Sequence, residues 1–460
     1  MKELDEIKSW IIDTAQTVIK HVIENGAWQA DVRIEYGENY LTRFANSQIH
    51  QNVGETYTKA FLRVFLRDKR FGCVTIISRD IDEILKAADQ ALKIAKASKP
   101  DPFFKSLPEP DRILPTDRKM FFEEMIRLTP FDRAEIAGKV IDAAHEADKH
   151  VSAVNGALST VLRLQAVANS LGVNIFQAYS FASLNVLVTA KNMQSEAEGF
   201  AYRVSGNLKE INAEEVGFEA GERASSGLDA KKIEPGDYEV VFLPYATATL
   251  MFHLAIDTSA RSKDLGVSSL INKENKKVLH EDISVIDDPR SEKTPVPLLF
   301  DGEGVPKKRL VLFDHGVFKN FVYDSYYAGK EGKKSTGHAS FWRHASPFPS
   351  NLVFEPGNSK LDDLIEDTKN GILVSRLHYS NTVDPRRGII TAMTRAGTFK
   401  IENGELKYSI KNMRFTDSYH RILNSLSILG KDLRSMVVRR GFITAPSIKV
   451  NSVKFVGTTG

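Results

Sequence analysis

The amino-acid sequence predicts an α+β protein, with mixed layers of helices and strands in its N-terminal part and a larger, β-rich C-terminal domain. In the first hundred residues, one amphipathic helical pattern precedes a run of extended segments and a second pattern follows it. That order is typical of helices that cover one face of a sheet. With 460 residues, the chain is long enough for two or three domains with large buried cores.

The first predicted unit spans residues 1–98. Apolar residues recur at helical spacing from Ile7 to Ile23, and Gly26 is well placed to end this helix. The segments between Ala30 and Ile77 are rich in β-branched and aromatic residues, which predicts strands. A second amphipathic helix is predicted from Ile81 to Ala95.

The first half of the segment 99–130 contains five prolines, which predicts a semi-rigid linker. The second unit, residues 131–233, is expected to start with a helix from about Asp132 to Lys149. Two strand-like stretches follow and are joined by a predicted turn at 169–172. The third unit, 234–460, is expected to contain mainly strands and turns.

Within the third unit, the first two elements are predicted from strong apolar patterns. Tyr238 to Leu243 is expected to be a strand, and Ala246 to Ala260 a helix. Further along, Gly302, Gly304 and Pro306 lie around two acidic residues and predict a tight turn between strands. A structural role is the simplest interpretation of this turn, and a place in a peptide-binding groove is the alternative.

Composition excludes several classes of protein. A net charge of +3, without a concentrated basic face, argues against a dedicated nucleic-acid binder. The single cysteine, Cys73, excludes an intramolecular disulfide and is predicted to be a buried thiol. No stretch approaches the roughly 18 continuous apolar residues of a membrane span, and the charged N-terminus indicates a helix rather than a signal peptide. We therefore expect a cytoplasmic protein without membrane partners.

Seven short motifs occur along the chain in a particular order and spacing. They are Arg43–Gln51, Ala168–Gly172, Val285–Pro289, Phe300–Pro306, Ser335–His338, Pro349–Leu352 and Ala445–Ile448. Each motif alone is weak, but together they identify a resemblance to the TldD/TldE (PmbA) family of metallopeptidase-related proteins over essentially the whole chain.

The resemblance also concerns a zinc motif. Members of the TldD type carry His-Glu-x-x-x-His after the strand that begins the third unit, and a cysteine nearer the C-terminus. On the ungapped register, Phe252 stands here in place of the first histidine, His253 in place of the glutamate and Asp257 in place of the second histidine. The C-terminal cysteine is absent as well. The resemblance therefore implies a TldE-type chain that binds no zinc or other cofactor itself, with the zinc held by a TldD-type partner.

The family's division of labour implies a non-catalytic subunit that forms a heterodimer with a TldD-like protein and acts on unfolded peptides. The family label "modulator of DNA gyrase" refers to genetics, and we expect no direct contact with nucleic acid. Two alternatives remain open. The chain could be a stand-alone peptide-binding homodimer, or a hydrolase with a rearranged metal site.

A rearranged site would draw on four residues. His253 and Asp257 stand four residues apart on a predicted helix, a spacing that could hold a metal but that also fits a polar pair in a groove or interface. His338 and His344 stand six residues apart and could share one face of a strand. A metal or catalytic role, a contact with a ligand or partner, and a purely structural role all remain open for them.

Overall fold

A computed structural model describes residues 2–340, 346–438 and 441–458. The helices are α1 Lys2–Glu24, α2 Ile81–Ala97, α3 Glu123–Arg127, α4 Pro130–Ala147, α5 Ala213–Ser226, α6 Pro244–Asp257, α7 Ala260–Asp264, α8 Ser325–Lys330, α9 Leu361–Glu366 and α10 Tyr419–Asn424. The strands are β1 Gln29–Ala45, β2 Gln48–Phe65, β3 Phe71–Ile77, β4 Val151–Asn169, β5 Asn174–Lys191, β6 Glu196–Ser205, β7 Gly236–Phe242, β8 Val285–Asp287, β9 Leu310–Asp314, β10 Val317–Phe318, β11 Asn351–Phe354, β12 Asn370–Asp384, β13 Ile389–Glu402, β14 Glu405–Ser409, β15 Met413–Ser418, β16 Leu426–Val438 and β17 Gly441–Thr458. The predicted α+β class, with a larger β-rich C-terminal part, is confirmed.

The first two predicted units contribute to one antiparallel sheet of six strands. Its order is β3-β2-β1-β4-β5-β6, so β1 pairs with β2 on one side and with β4 on the other. The apolar stripes of α1 and α2 pack on the half of one face formed by β1, β2 and β4, and α4 and α5 pack against β4, β5 and β6. Because side chains alternate across a strand, the residues between these apolar positions project from the opposite face.

Local chemistry explains where several of these elements begin and end. Asp80 caps α2 by accepting a hydrogen bond from the Asp82 amide. Thr129 forms a capping box with Asp132 at the start of α4, where Pro130 occupies the first turn. The predicted turn between β4 and β5 closes at Gly172, whose φ of 102° favours glycine.

The predicted linker is held against both neighbouring parts of the molecule. The ring of Phe104 stacks on Phe65 of β2 with centroids 3.9 Å apart. Further along, the Arg118 guanidinium donates hydrogen bonds to the Thr294 and Ser291 carbonyls of the C-terminal domain. The segment therefore connects the six-stranded sheet to the C-terminal domain by side-chain contacts as well as by the backbone.

The C-terminal domain is built on an eleven-stranded sheet in which β7 pairs with β12 and β17. α6 packs against this sheet and is buried along nearly its whole length. The prediction of a helix to Ala260 was wrong in its C-terminal part. The helix ends at Asp257, Thr258 caps it, and the shorter α7 begins at Ala260.

Two further expectations concern exposure. Cys73 is half-buried rather than buried, because β3 is the edge strand of the six-stranded sheet. Cys73 lies directly opposite Arg63 on the neighbouring strand. Both side chains therefore project from the sheet face that is opposite α1 and α2. Among the described residues, no helix is both long and apolar enough to cross a lipid bilayer.

Candidate functional site

A cavity of about 720 Å³ lies between the six-stranded sheet and the C-terminal domain. Its floor is the sheet face that α1 and α2 leave uncovered. Its roof comes from loops of the C-terminal domain and from the paired strands β16 and β17. The floor residues are Arg33, Glu35, Tyr57, Lys59, Phe61, Arg163, Gln165, Gln177, Tyr179 and Phe181. The roof residues are Leu298, Phe300, Asp301, Gly302, His338, Ala339, Ser340, Phe348, Ser350, Val437, Val438, Gly441 and Phe442.

A row of polar side chains crosses four strands of the floor. Lys59, Glu35, Gln165 and Gln177 lie directly opposite one another on β2, β1, β4 and β5. The Gln165 amide donates to Glu35 Oε2 at 2.8 Å, and the Gln177 amide donates to Gln165 Oε1 at 3.0 Å. The Leu299 amide of the C-terminal domain donates to Gln177 Oε1 at 3.1 Å, which connects that domain to the floor.

Glu35 is the central acid of the floor. It forms an ion pair with Arg33 and lies 3.5 Å from Arg163 Nε, and it accepts a hydrogen bond of 2.7 Å from Tyr57 Oη. Burial alone would raise the pKa of Glu35, but the two arginines and the hydrogen bonds from Tyr57 and Gln165 outweigh it and lower that pKa to about 2. The Glu35 carboxylate is therefore ionised throughout the neutral range.

Beside the cavity, Arg63 joins the sheet to the C-terminal domain. Its guanidinium binds both oxygens of Asp31, its cross-strand neighbour, and Nη2 donates to Glu303 Oε1 at 2.8 Å. Glu303 Oε2 accepts from the Ser325 amide at the start of α8. The side chain of Glu303 is 2% exposed, so this ion network lies within the domain contact.

The predicted tight turn carries Asp301 to the roof. Asp301 accepts hydrogen bonds from the amides of Glu303, Val305 and Ala339. Gly304 has a φ of 82°, and a side chain there would meet Val173 of the second unit, so glycine permits both the turn and the close approach. Burial and the neighbouring Glu303 raise the pKa of Asp301 to about 7.

His338 reaches the cavity from a second buried ion network. Its Nε2 lies 3.3 Å from Asp287 Oδ1 without the geometry of a full hydrogen bond, and Lys307 Nζ lies 2.9 Å from the same oxygen. The Asn351 amide donates to Asp287 Oδ2 at 2.7 Å. Burial and Lys307 lower the pKa of His338, so the imidazole is neutral. Asp287, Asp301, Glu303, His338 and Asn351 come from four separate sequence motifs, which the fold brings to this contact.

The positions equivalent to the zinc motif lie on α6, and their side chains contact different neighbours. The Phe252 ring packs near Phe348 of the cavity roof, with centroids 6.0 Å apart. His253 contacts two hydroxyls of β12, with Nε2 at 2.7 Å from Ser380 Oγ and Nδ1 at 3.2 Å from Thr382 Oγ1. Burial lowers the pKa of His253 to about 4, so the ring is neutral above that pH.

Asp257 belongs to a separate polar network. It accepts hydrogen bonds from the Ser269 amide at 2.8 Å and from Tyr419 Oη at 2.7 Å, and a further one from Ser269 Oγ. His420 Nε2 contacts the same serine hydroxyl. The carboxylate is therefore saturated by donors of its own domain.

These donors do not fit a zinc ion. Zinc is held by about four nitrogen, sulfur or carboxylate ligands that converge on one point, whereas Phe252 supplies no donor and both His253 nitrogens contact hydroxyls. Within residues 2–340, 346–438 and 441–458, no group of three or more His, Cys, Asp or Glu side chains is placed to hold a metal ion.

The predicted site residues thus lie in different places. His253 and Asp257 lie on α6 with separate partners, and His338 lines the cavity. His344 lies outside the described residues. The functional roles of these residues stay predictions.

Sequence reasoning missed the cavity floor. Its residues alternate with apolar ones along each strand, as in Arg33 and Glu35 of β1 or Arg163 and Gln165 of β4. That alternation is the ordinary sign of a half-exposed strand. The available signal was the mixture of bulky aromatic and cationic side chains at those alternate positions.

Comparison with protein-family models gives three matches to one family. The models for domain 1, the central domain and the C-terminal domain of the PmbA/TldA metallopeptidases match residues 30–95, 120–228 and 235–457, respectively.

Individual relatives and solved structures agree with these matches. A metalloprotease from Methanocaldococcus jannaschii is 26% identical over 91% of this chain and 93% of its own length. The metalloprotease PmbA from Escherichia coli O157:H7 is 23% identical over 80% of each chain. The crystal structure of TldE from Thermococcus kodakarensis superposes with a TM-score of 0.89 at 25% identity, covering 96% of this chain and 100% of that one.

Proposed function

The chain belongs to the PmbA/TldD metallopeptidase family, and from that premise we propose that it is a TldE-type subunit without zinc of its own. In this proposal it works with a zinc-bearing TldD-type subunit, as a heterodimer that cleaves unfolded peptides in the cytoplasm. Its own contribution is to hold the peptide and to complete the chamber around it.

The observation that carries this proposal is the arrangement of side chains on α6. Phe252 occupies the position of a zinc-binding histidine and packs toward Phe348. His253 and Asp257 are each held by hydroxyl groups on different elements. Turning either side chain toward a common metal would break these contacts and leave buried polar groups unpaired.

The cavity supports a peptide-handling role. Its volume of about 720 Å³ falls within the range of ordinary small-ligand sites. The floor offers hydrogen-bonding groups and aromatic rings side by side, which suits a chain of amides with mixed side chains. A catalytic role for this chain alone would need a nucleophile or a metal-bound water that α6 does not provide.

The first test measures zinc and other transition metals in the full-length chain, purified without chelator. We expect far less than one metal ion per chain. A His253→Ala variant and a His338→Ala variant should give the same content as the unchanged chain. About one zinc per chain, lost in either variant, would overturn the proposal and favour a hydrolase with a rearranged site.

The second test measures hydrolysis of an unfolded peptide by the chain alone, by a TldD-type protein alone and by the two mixed. We expect cleavage that requires both proteins and that a zinc chelator abolishes. A TldD-type protein with its motif glutamate changed to glutamine is the control for hydrolysis by this chain. Hydrolysis by the chain alone at the rate of the mixture would contradict the proposal. Peptide binding by the chain, with no increase in hydrolysis when the second protein is added, would favour the stand-alone homodimer.

A further inference from the structure

Two cationic side chains contact one aromatic ring on the cavity floor. Lys59 Nζ lies 4.8 Å from the centroid of the Phe61 ring, and Arg33 Cζ lies 5.8 Å from the same centroid. All three side chains line the cavity. The ring attracts each cation weakly. An anion bound beside the ring would be attracted by both positive charges.

The neighbouring acid does not neutralise both cations. Lys59 stands directly opposite Glu35 in the sheet, yet its ammonium makes no hydrogen bond or ion pair with the described residues. The oxygens of Glu35 are already engaged by Arg33, Tyr57 and Gln165. The Lys59 charge is therefore left for another partner.

Arg33 also has a donor to spare. It pairs with Glu35 through Nη2, while its Nε is buried and has no hydrogen-bond partner among the described residues. Buried donors are nearly always paired in folded proteins, and exceptions call for an explanation. Because Arg33 lines the cavity floor, a turn of its guanidinium toward a ligand there would pair this donor.

Other acids of the cavity are poor partners for these cations. Asp301 is the second carboxylate in the lining, and three backbone amides already donate to it. Burial and the neighbouring Glu303 raise its pKa, which disfavours the charged carboxylate. The lowered pKa of His338 favours its neutral form, which adds no charge to the cavity. Among the described lining residues, positive charge therefore exceeds negative charge.

We infer that Lys59 and Arg33 form a binding site for a carboxylate group of a peptide held in the cavity. A guanidinium beside an ammonium is a strong, charge-assisted donor set for such a group. The carboxylate can come from the C-terminus of the peptide or from an acidic side chain. The inference rests on the proposed function for the choice of a peptide as ligand, and it assigns a recognition role to this chain.

The test measures binding of four acetylated tripeptides to the metal-free, full-length chain by ligand-observed NMR, which detects weak binding. Ac-Ala-Ala-Ala with a free carboxylate is compared with its C-terminal amide. Ac-Ala-Glu-Ala-amide is compared with Ac-Ala-Gln-Ala-amide. The first pair tests a C-terminal carboxylate and the second tests a side-chain carboxylate. Inorganic phosphate is titrated as a general anion.

The variant Lys59→Gln removes the ammonium without disturbing an ion pair. We expect it to weaken binding of the carboxylate probe about tenfold, the usual size for one charge-assisted contact. Lys191→Gln, at an exposed position at the end of β5, is the matched control and should bind as the unchanged chain does. Arg33→Gln combined with Glu35→Gln removes the guanidinium without leaving Glu35 unpaired, and thermal unfolding checks that it folds.

A preference of at least about tenfold for a carboxylate probe over its neutral counterpart, lost in Lys59→Gln and kept in Lys191→Gln, supports the inference. Equal binding of acid and amide in both pairs, no detectable binding of any peptide, or displacement of the peptides by phosphate at similar concentrations would overturn it. Because no metal, partner or hydrolysis enters this measurement, its failure is distinct from failure of the proposed function.

Discussion

Buried polar side chains on α6 can be compared with those between the six-stranded sheet and the C-terminal domain. On α6, His253 and Asp257 contact hydroxyls and an amide of their own domain. Between the domains, Arg63 links carboxylates from both sides, but Lys59 and Arg33 Nε keep donors without partners among the described residues.

This difference distinguishes polar groups that stabilise the fold from polar groups that are available to bind a ligand. On α6, donors of the same domain fill the Asp257 carboxylate, which stabilises one arrangement of the fold. A network with unpaired donors beside a cavity is stabilised when a ligand accepts hydrogen bonds from those donors. Burial of polar residues alone therefore does not indicate a binding site, whereas unpaired donors on a cavity wall are the basis of the carboxylate site that we infer.

The largest effect is expected where the contact between the domains is broken. Arg63→Met would leave Asp31 and Glu303 buried without their cation, which should lower the free energy of unfolding by about 3–5 kcal/mol. Urea unfolding of the full-length chain measures this. Adding Asp31→Asn and Glu303→Gln to the variant should recover much of the loss. A loss below about 1 kcal/mol would mean that this network does not hold the domains together.

Removing the Asp257 carboxylate of α6 should have the next largest effect. Asp257→Ala would leave the donors of Ser269 and Tyr419 without their acceptor and lower the free energy of unfolding by about 2–3 kcal/mol. Asp257→Asn keeps one acceptor oxygen and should lose less. The affinity for carboxylate peptides should stay the same in both, and a weakened affinity would show that the two regions are not independent.

The pH dependence of stability sharpens the comparison through His253. Its pKa is about 4 in the folded chain and 6.5 for an unperturbed histidine, so the unfolded chain takes up the proton first as the pH falls. Stability that is present above pH 6.5 is therefore lost toward pH 4. As the pH falls from 7 to 5, protonation of this residue should lower the free energy of unfolding by about 2 kcal/mol. Denaturant unfolding at both pH values should show a smaller loss for His253→Gln than for the unchanged chain.

Asp324, at the start of α8 between the domains, should show a smaller effect of opposite sign. Burial and the nearby Glu303 raise its pKa to about 8, so the folded chain holds a proton that the unfolded chain has lost. This contribution to stability is lost as the pH rises through 8, by about 1 kcal/mol between pH 7 and 9. Asp324→Asn, which keeps the oxygen that caps α8, should be insensitive over that interval in the same unfolding measurement. An equal loss in the variant would contradict the assignment to Asp324.

Much of the fold could be predicted from the sequence, because helix stripes, β-branched runs and turn residues act over short distances. The family could be predicted as well, since its motifs carry residues such as Asp287, Asp301 and His338. Their convergence could not, because it depends on loops that are far apart in sequence. The cavity floor was missed for a related reason. The alternation around Arg33 and Glu35 is typical of any half-exposed strand, and the sequence does not show that a second domain covers it.

The central position of β1 in the six-stranded sheet has a consequence for synthesis of the chain on the ribosome. One edge of β1 pairs at once with β2, but the other waits for β4, where Asp31 meets Asn169. Until that point is translated, a long row of backbone amides and carbonyls stays open to other nascent chains. A fragment that stops within the 99–130 segment would keep this edge open permanently, so a second copy could pair with it and start aggregation.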